Sequence, residues 1–541
     1  MMKKLLYLLL AGLVLSSCSD FLDRAPKDAF STSTYPASEK DVKMLAIGCY
    51  DGWVNTNWIL EGDAASDNFY DGFPWEGWSA IQDGSMSASN TGNAGGLYKS
   101  SYEIINRCNN FMKVSADIEF ADSDTKAALE GEVRFIRAWR YFVLTMGWGD
   151  VPLFQETFAS VEDAIIAKSP ASEVVKFVND ELDAIIPVLP VNTEKGRISK
   201  GAALALKMRL NLFKGNYDVA ADAARDIEKL NKYDLFTDGD NAYSNLFTKE
   251  FEGNIETILA YQQLESNYSG WIVNLMPNGD GGWSSIAPLQ GLVDAYETTN
   301  GLTIDEDPEY DEVHPWKDRD PRLKATILYT GRTWKNMAGL ERVYNAVDKN
   351  LADGSANPDY RTNANNATKT GYNFIKWNPD LTKVSDAWNT GFDIYAFRFA
   401  EVLLSKAEAL IEQNQITDEM YEAIDKVRTR AGMPMVDRTK YSSQASLREL
   451  IRRERRVEFA GEGLRRWDII RWDIAKDVLN GDIKACVGTL DNPENPIEEL
   501  RATMEDPVRI TENKFADKNK LYPFPQTYLD MNSALKQNTG Y

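Results

Sequence analysis

Histidine is nearly absent from this chain: among 541 residues only His314 carries an imidazole. It sits in Glu312-Val313-His314-Pro315-Trp316, a loop-like sequence, and is a poor catalytic candidate. Serine and cysteine triads need a histidine as base, and histidine-rich metal sites need several, so neither chemistry finds support. Cysteine is sparse too. Beyond Cys18 there are Cys49, Cys108 and Cys486, with no C-x-x-C spacing. That argues against a disulfide framework or a zinc site and favours buried free thiols, with room for one bridge. No segment after the N-terminus approaches the ~18 consecutive apolar residues of a membrane span. Positive charge is in deficit, with 60 Lys and Arg against 82 Asp and Glu and a net charge of −22. No basic patch stands out, and this balance opposes nucleic acid while suiting neutral or cationic ligands. Nothing in the chain requires a metal or a cofactor.

What is present begins at the first residue. Met1-Met2-Lys3-Lys4 leads into the apolar stretch Leu5 to Leu15, then Ser16-Ser17-Cys18. The stretch is too short for a mature membrane helix and reads as a secretory signal peptide. Leu15-Ser16-Ser17-Cys18 resembles a bacterial lipobox, in which cleavage precedes an acylated cysteine; an ordinary signal peptide is the alternative. On the first reading residues 1–17 are removed and Cys18 becomes the lipid anchor. Each buried methylene contributes about 0.8 kcal/mol, so several acyl chains hold stably. The remaining 524 of 541 residues carry 58 basic and 82 acidic side chains, a net −24. That length is ample for a large core.

Helical periodicity dominates two regions separated by a third. After a polar tether, Ser19 to Pro26, that carries the apolar pair Phe21-Leu22, residues 18–236 form an N-terminal helical region. Leu97 to Val114, Thr125 to Met146 and Ala171 to Ile186 carry apolar residues at three- and four-residue spacing. The clearest pair runs from Gly201 to Leu230, turning at Gly215-Asn216-Tyr217-Asp218-Val219-Ala220. G-x-Y-x-x-A between amphipathic helices resembles the turn of a tetratricopeptide repeat, where small alanines let antiparallel helices approach; a generic helical hairpin is the alternative. Residues 237–393 change character. Gly, Asn, Asp and Pro are frequent and β-like runs are brief (Ile255 to Tyr261, Thr326 to Tyr329), as in long loops where binding residues collect. Residues 394–541 return to helices, with a pair at Phe399 to Leu410 and Met420 to Arg430.

Within that last region Leu447 to Asp473 reads LRELIRRERRVEFAGEGLRRWDIIRWD. Leu447, Leu450, Ile451, Glu454, Glu458 and Gly461 share one helical face, and Glu462 lies in a glycine break before Arg465, Arg466, Asp468 and Arg471. Half-buried glutamates among so many arginines suggest bidentate ion pairs locking helix to helix. A glycosidase-like carboxylate pair is the alternative, but arginine partners lower a carboxyl pKa rather than create an acid.

This segment is similar to the signature of the SusD/RagB family of outer-membrane lipoproteins. Phe397 to Leu410 resembles that family's preceding helix. Leu521-Tyr522-Pro523-Phe524-Pro525, closing on Asn532 and Gln537 to Tyr541, resembles its ending, and Cys18 to Asp23 fits its lipidated start. The resemblance implies a mainly α fold: a scaffold of about four tetratricopeptide-like helical pairs decorated by long loops and short β segments. It implies a cell outer membrane location facing outward, and a SusC-like TonB-dependent transporter as partner, over which the lipoprotein acts as a lid. Such proteins bind oligosaccharides, or peptides in some members, and break no bonds.

The family's ligand contacts vary with the ligand, so the site is argued from residue chemistry. Sugars present flat C–H faces that pack on exposed rings, and hydroxyls that pair with amides and carboxylates. Asp67-Asn68-Phe69-Tyr70-Asp71-Gly72-Phe73-Pro74-Trp75-Glu76-Gly77-Trp78 has that mixture, and its glycines and proline rule out a regular helix. Trp271 through Asn278 to Trp283 is a second glycine-rich loop bearing tryptophan. The candidate ligand-binding residues are Trp75, Trp78, Trp283, Tyr70, Asp67, Asn278 and Trp271; their alternative role is anchoring long loops or touching the transporter. Trp467 and Trp472 belong to the signature helices and to the core. Three classes compete: a glycan-capturing lipoprotein or its peptide-binding counterpart, a secreted glycoside hydrolase, and a protein-binding adaptor. A single histidine and no nucleophile motif oppose the second, and the aromatic loops oppose the third.

Overall fold

A computed structural model describes residues 36–239, 241–265, 271–377 and 380–541; the signal segment, Cys18 and the tether lie outside them. The helices form where the spacing predicts, and each has a local reason to begin. α1 (Glu39–Cys49) starts at Ser38, whose hydroxyl accepts from the Asp41 amide. α2 (Asn93–Ser115) buries Leu97, Tyr98, Ile104, Ile105, Cys108 and Phe111 along one stripe. α3 (Ser123–Trp148) is capped by the Asp122 carboxylate and is buried on nearly every face from Val133 onward. α4 (Ala171–Ile185) follows Pro170 and turns Val174, Val178, Leu182 and Ile185 inward.

α5 (Lys200–Phe213) and α6 (Tyr217–Lys229) are the pair read from sequence. Ser199 caps the first, Gly215 adopts φ +78° in the turn, and the Asn216 amide returns to the Asn211 carbonyl at 2.8 Å. Ala220, Ala221, Ala223 and Ala224 bury the inner face of α6. In space the helices follow one another in a row: α2 on α3, α3 on α4, α4 on α5, α5 on α6. The row then continues not with the next residues but with α7 (Phe399–Glu412), which packs on α6, and with α8 (Asp418–Arg430) beyond it. This is the helical-pair scaffold expected, with small two-stranded sheets as its decoration.

The chain between α6 and α7 leaves and returns through one antiparallel ladder, Thr257–Tyr261 against Ile394–Arg398. A second ladder, Phe69–Asp71 against Ile286–Pro288, ties an N-terminal loop to the loop-rich region. A third, Gly481–Leu490 against Ala502–Asn513, carries register shifts around Asp506 and Pro507 and is not anticipated by the sequence reading. The C-terminal Tyr522 and Phe524 are buried, and the Trp148 indole donates to the Pro523 carbonyl at 3.1 Å. Cys49, Cys108 and Cys486 are free and buried. The His314 ring lies against a local carboxylate, with Nδ1 2.7 Å from Asp311.

The signature helices α9 (Gln444–Glu458) and α10 (Arg465–Arg471) hold an ionic lattice. Glu454 and Glu458 are fully rather than half buried, and their partners come largely from outside the signature. Arg322 reaches Glu454 at 2.5 Å and Glu458 at 3.0 Å. Arg398 reaches Glu256 at 2.8 Å, Glu458 at 2.7 Å and Glu462 at 2.6 Å. Arg430 pairs with Glu458, and Arg428 with Glu454 at 2.9 Å. Burial pushes the Glu458 carboxyl up, but Arg430, Arg398 and Arg322 outweigh it and hold it far below the usual range. The signature's own arginines point elsewhere: Arg455 and Arg471 to Asp468 and Glu408, Arg456 and Arg465 to Asp67. Gly461 and Gly463, both at φ +72°, allow the break; a Cβ there would strike the Phe374 ring and the Trp58 carbonyl. Trp472 is buried with its indole on Glu408, and Trp467 packs against the core.

Candidate ligand-binding site

The two aromatic loops are brought together by backbone pairing. Phe69↔Pro288, Tyr70↔Ala287 and Asp71↔Ile286 form the ladder, and the Gly72 amide extends it to the Ser285 carbonyl at 2.8 Å. Both loops therefore leave the same end of one small sheet. In the first, the Asp71 carboxylate accepts from the backbone amides of Phe73 (3.0 Å), Trp78 (2.9 Å) and Ser79 (2.9 Å), folding the loop over itself. Pro74–Glu76 makes a single tight turn, and Gly77 at φ +81° ends it against Asn93, whose amide donates to the Glu76 carbonyl at 2.8 Å.

This fold sorts the rings. Trp75 is 67% exposed and stacks on Phe73 beneath it, centroids 4.7 Å apart and planes 13° from parallel. Trp78 is wholly buried: its indole N–H donates to Glu61 at 3.1 Å and its ring meets Trp58 edge-on at 4.8 Å. It offers no face to a ligand in this conformation, because the loop needs it as a root. Asp67 is likewise internal, paired with Arg465 at 2.8 Å and Arg456 at 2.9 Å. Those guanidiniums hold its carboxyl far below the usual range despite burial, so it is engaged in the framework. Tyr70 is half-buried on the ladder.

The second loop begins with a short helix, Trp271–Leu275, and turns at Asn278–Asp280. The Trp283 amide returns to the Val273 carbonyl at 2.8 Å and the Ser285 amide to Asn274 at 2.7 Å. The Asn274 side chain spans both loops, donating to Glu61 at 2.9 Å and to Glu76 at 3.3 Å. Trp283 is partly buried and meets Trp388 edge-on at 5.3 Å; Trp388 is itself 38% exposed. The Asn278 amide is spent on the Pro358 carbonyl at 2.7 Å, and Arg342 locks Asp280 to Asp359 alongside it. Of the sequence candidates, then, Trp75 is exposed, Trp283 and Tyr70 are partly buried, and Trp78, Asp67 and Asn278 brace the loops; the Trp271 side chain lies outside what is described. Trp388, Phe73 and Lys369, whose ammonium lies 5.4 Å from the Phe73 ring, complete the face. Trp388 lies outside both aromatic loops in sequence; the tertiary contact with Trp283 shows its place.

Three carboxyls lie beneath these rings. Burial pushes Glu61 up to about 7, although Asn274 and Trp78 donate to it. It pushes Asp71 up to about 6 against three backbone donors, and it raises Glu76 against Ser285 and Trp75. Among the described residues no Lys or Arg pairs with any of the three, and each repels another. The face is an open platform rather than a hollow. Larger cavities lie elsewhere: one of about 670 Å³ lined by Gln290, Asp294, Tyr310 and Met504, and one of about 570 Å³ lined by Asn245, Thr248, Lys324 and Arg332. Rings outside and carboxyls with amides inside can bind a flat, hydroxyl-rich molecule. They supply neither a histidine base nor a nucleophile beside one.

Comparison with known proteins follows the same lines. The SusD family model matches residues 254–541, and a model described as starch-binding associating with outer membrane matches residues 20–212. A SusD-like protein of Formosa agariphila is 26% identical over 504 residues, covering 86% of this chain and 88% of its own. The starch-binding protein SusD of Bacteroides thetaiotaomicron is 28% identical over 65% of this chain and 67% of its own. Among solved structures, a SusD-like protein of Bacteroides fragilis superposes with a TM-score of 0.81 at 25% identity, covering 96% of this chain and all of its own. A SusD-like carbohydrate binding protein of the same species gives 0.79 at 28% identity, over 92% of this chain and 99% of its own.

Proposed function

This chain belongs to the SusD family, and from that premise we propose that it is a surface lipoprotein which captures oligosaccharides and passes them to a SusC-like TonB-dependent transporter. The carrying observation is the platform: an exposed Trp75 laid flat on Phe73, with the Trp283–Trp388 pair on the loop that the same ladder ties to it. Stacked rings presented to solvent at the end of a rigid ladder match the apolar faces of pyranose rings, while Glu76 and Tyr70 stand where hydroxyls would lie. Family relatives named for starch and carbohydrate binding support the ligand class. The protein binds and hands over its ligand unchanged. Cys18 holds it to the outer membrane by lipid, in keeping with the outer-membrane description of its N-terminal family model. Among the described residues no helix is long and apolar enough to cross a membrane.

The test is calorimetry of the soluble domain against a glycan and peptide panel. Trp75→Ala or Trp283→Ala should weaken the bound oligosaccharide about thirtyfold, a loss of ~2 kcal/mol, with the melting temperature held. Binding of peptides alone, or normal binding by both variants, would move the site elsewhere. Cys18→Ala should abolish membrane partition in detergent phase separation; retention would sink the anchor.

A further inference from the structure

Two kinds of carboxylate cluster exist in this molecule. In the signature lattice every glutamate faces guanidinium groups. Beneath the aromatic platform Glu61, Asp71 and Glu76 face one another, amides and an indole. The groups around Glu76 can be taken element by element. Glu61 ends the helix before the loop, Tyr70 and Asp71 come from the strand, and Asn93 from α2. Asn274 and Ser285 come from the second loop. Asp83 adds its charge beyond Tyr70. Among the described residues Lys369 is the cation at the loop: its stem packs on Gly72, and its ammonium, 5.4 Å from the Phe73 ring, is engaged by the Asn365 carbonyl at 3.1 Å. Arg342, farther along, is already held between two aspartates.

We propose that Glu76, backed by Asp71 and Glu61, is a charge filter that lets the platform take neutral glycans and reject sugars bearing a carboxylate or sulfate. This inference rests on the platform being the glycan site. The filter works because Glu76 directly follows the ring on which a sugar lies. A like charge about 6 Å away, at an effective dielectric near 20, weakens binding by roughly a hundredfold. The surrounding burial keeps water and salt from screening it fully. The same burial raises all three carboxyls, Asp71 to about 6 and Glu61 to about 7, so the filter strengthens as pH rises through that range. The chain's overall negative charge acts in the same direction at longer range.

The experiment uses the full soluble domain and matched probes: malto-, cello-, laminari- and mannohexaose, each beside its C6-oxidised uronate form. At pH 7.5 the neutral member of whichever pair binds should be at least tenfold tighter. The gap should narrow at pH 5, where the uronate is still ionised, and in Glu76→Gln with an unchanged melt. If Glu76→Gln fails to fold, the pH series on the unmodified chain decides. Equal or tighter uronate binding, still lost in Trp75→Ala, overturns the filter and leaves the platform standing. A gap that is insensitive to both pH and Glu76→Gln overturns the role of Glu76. No binding by any glycan removes the platform reading and the filter together.

Discussion

Glu458 and Trp78 show how differently two buried residues are held. Glu458 sits among Arg322, Arg398 and Arg430, so its removal leaves three interior cations short of one shared carboxylate. Glu458→Ala should cost roughly 3–5 kcal/mol and lower the melting temperature clearly while leaving any retained glycan affinity unchanged. An unchanged melt with lost binding would make it a site residue. Trp78→Ala should also cost about 3–5 kcal/mol through lost packing, whereas Trp75→Ala should leave the melt alone. In the sequence these two tryptophans, three positions apart, looked equivalent. What separates them is a hydrogen bond to Glu61 and the three amides gathered by Asp71, partners that no local pattern reveals. The glutamates of the signature were legible as ion-pair formers from their apolar stripe. Their partners were not, because Arg322, Arg398 and Arg430 arrive from distant segments.

At the scale of elements, the loop between Asp71 and Trp78 carries its own pH response. The carboxyls at its root have folded pKa values raised above their unfolded ones, Asp71 to about 6 and Glu61, from the preceding helix end, to about 7. Their contribution is therefore fully present below the unfolded range near 4 and is lost as pH rises through 6 and 7. Amide exchange in residues 72–78 should be slow at pH 5.5 and faster at pH 8, after correction for intrinsic rates; the reverse trend would contradict the assignment of those carboxyls. The helices were legible because each buries one face and keeps a 3.6-residue rhythm. The long hairpin Gly481–Leu490 and Ala502–Asn513 was not. Most of its positions are wet on both faces and its register slips near Pro507, so no alternation of period two survives to be read.

Over the whole molecule the lattice sets the acid limit. Glu454, Glu458, Glu462 and Asp468 are all held below their ordinary values by facing guanidiniums after burial has pushed the other way. Depressed folded pKa values give stability that is present above the unfolded range and is lost as pH falls through it. The melting temperature should thus fall steeply below about pH 4.5, and in Glu458→Ala that slope should be shallower. A flat profile down to pH 3 would mean the lattice is not what holds the two halves of the scaffold together. Its members come from Arg322, Lys376, Arg398, Arg428, Arg430 and the signature, so one network spans the loop-rich region and the C-terminal helices.

The row of helices skips from α6 to α7 across the whole loop-rich region, and this has a consequence for how the chain comes into being. Synthesis delivers α2 to α6 first, leaving the face that α7 will cover without its partner until residue 399 and its successors arrive. Contacts this far apart in sequence form late, and an uncovered apolar face invites association with other chains in the meantime. Accordingly, a fragment ending at residue 236 should be recovered as helical but self-associated material, and addition of the segment from 394 onward in trans should compete with that association.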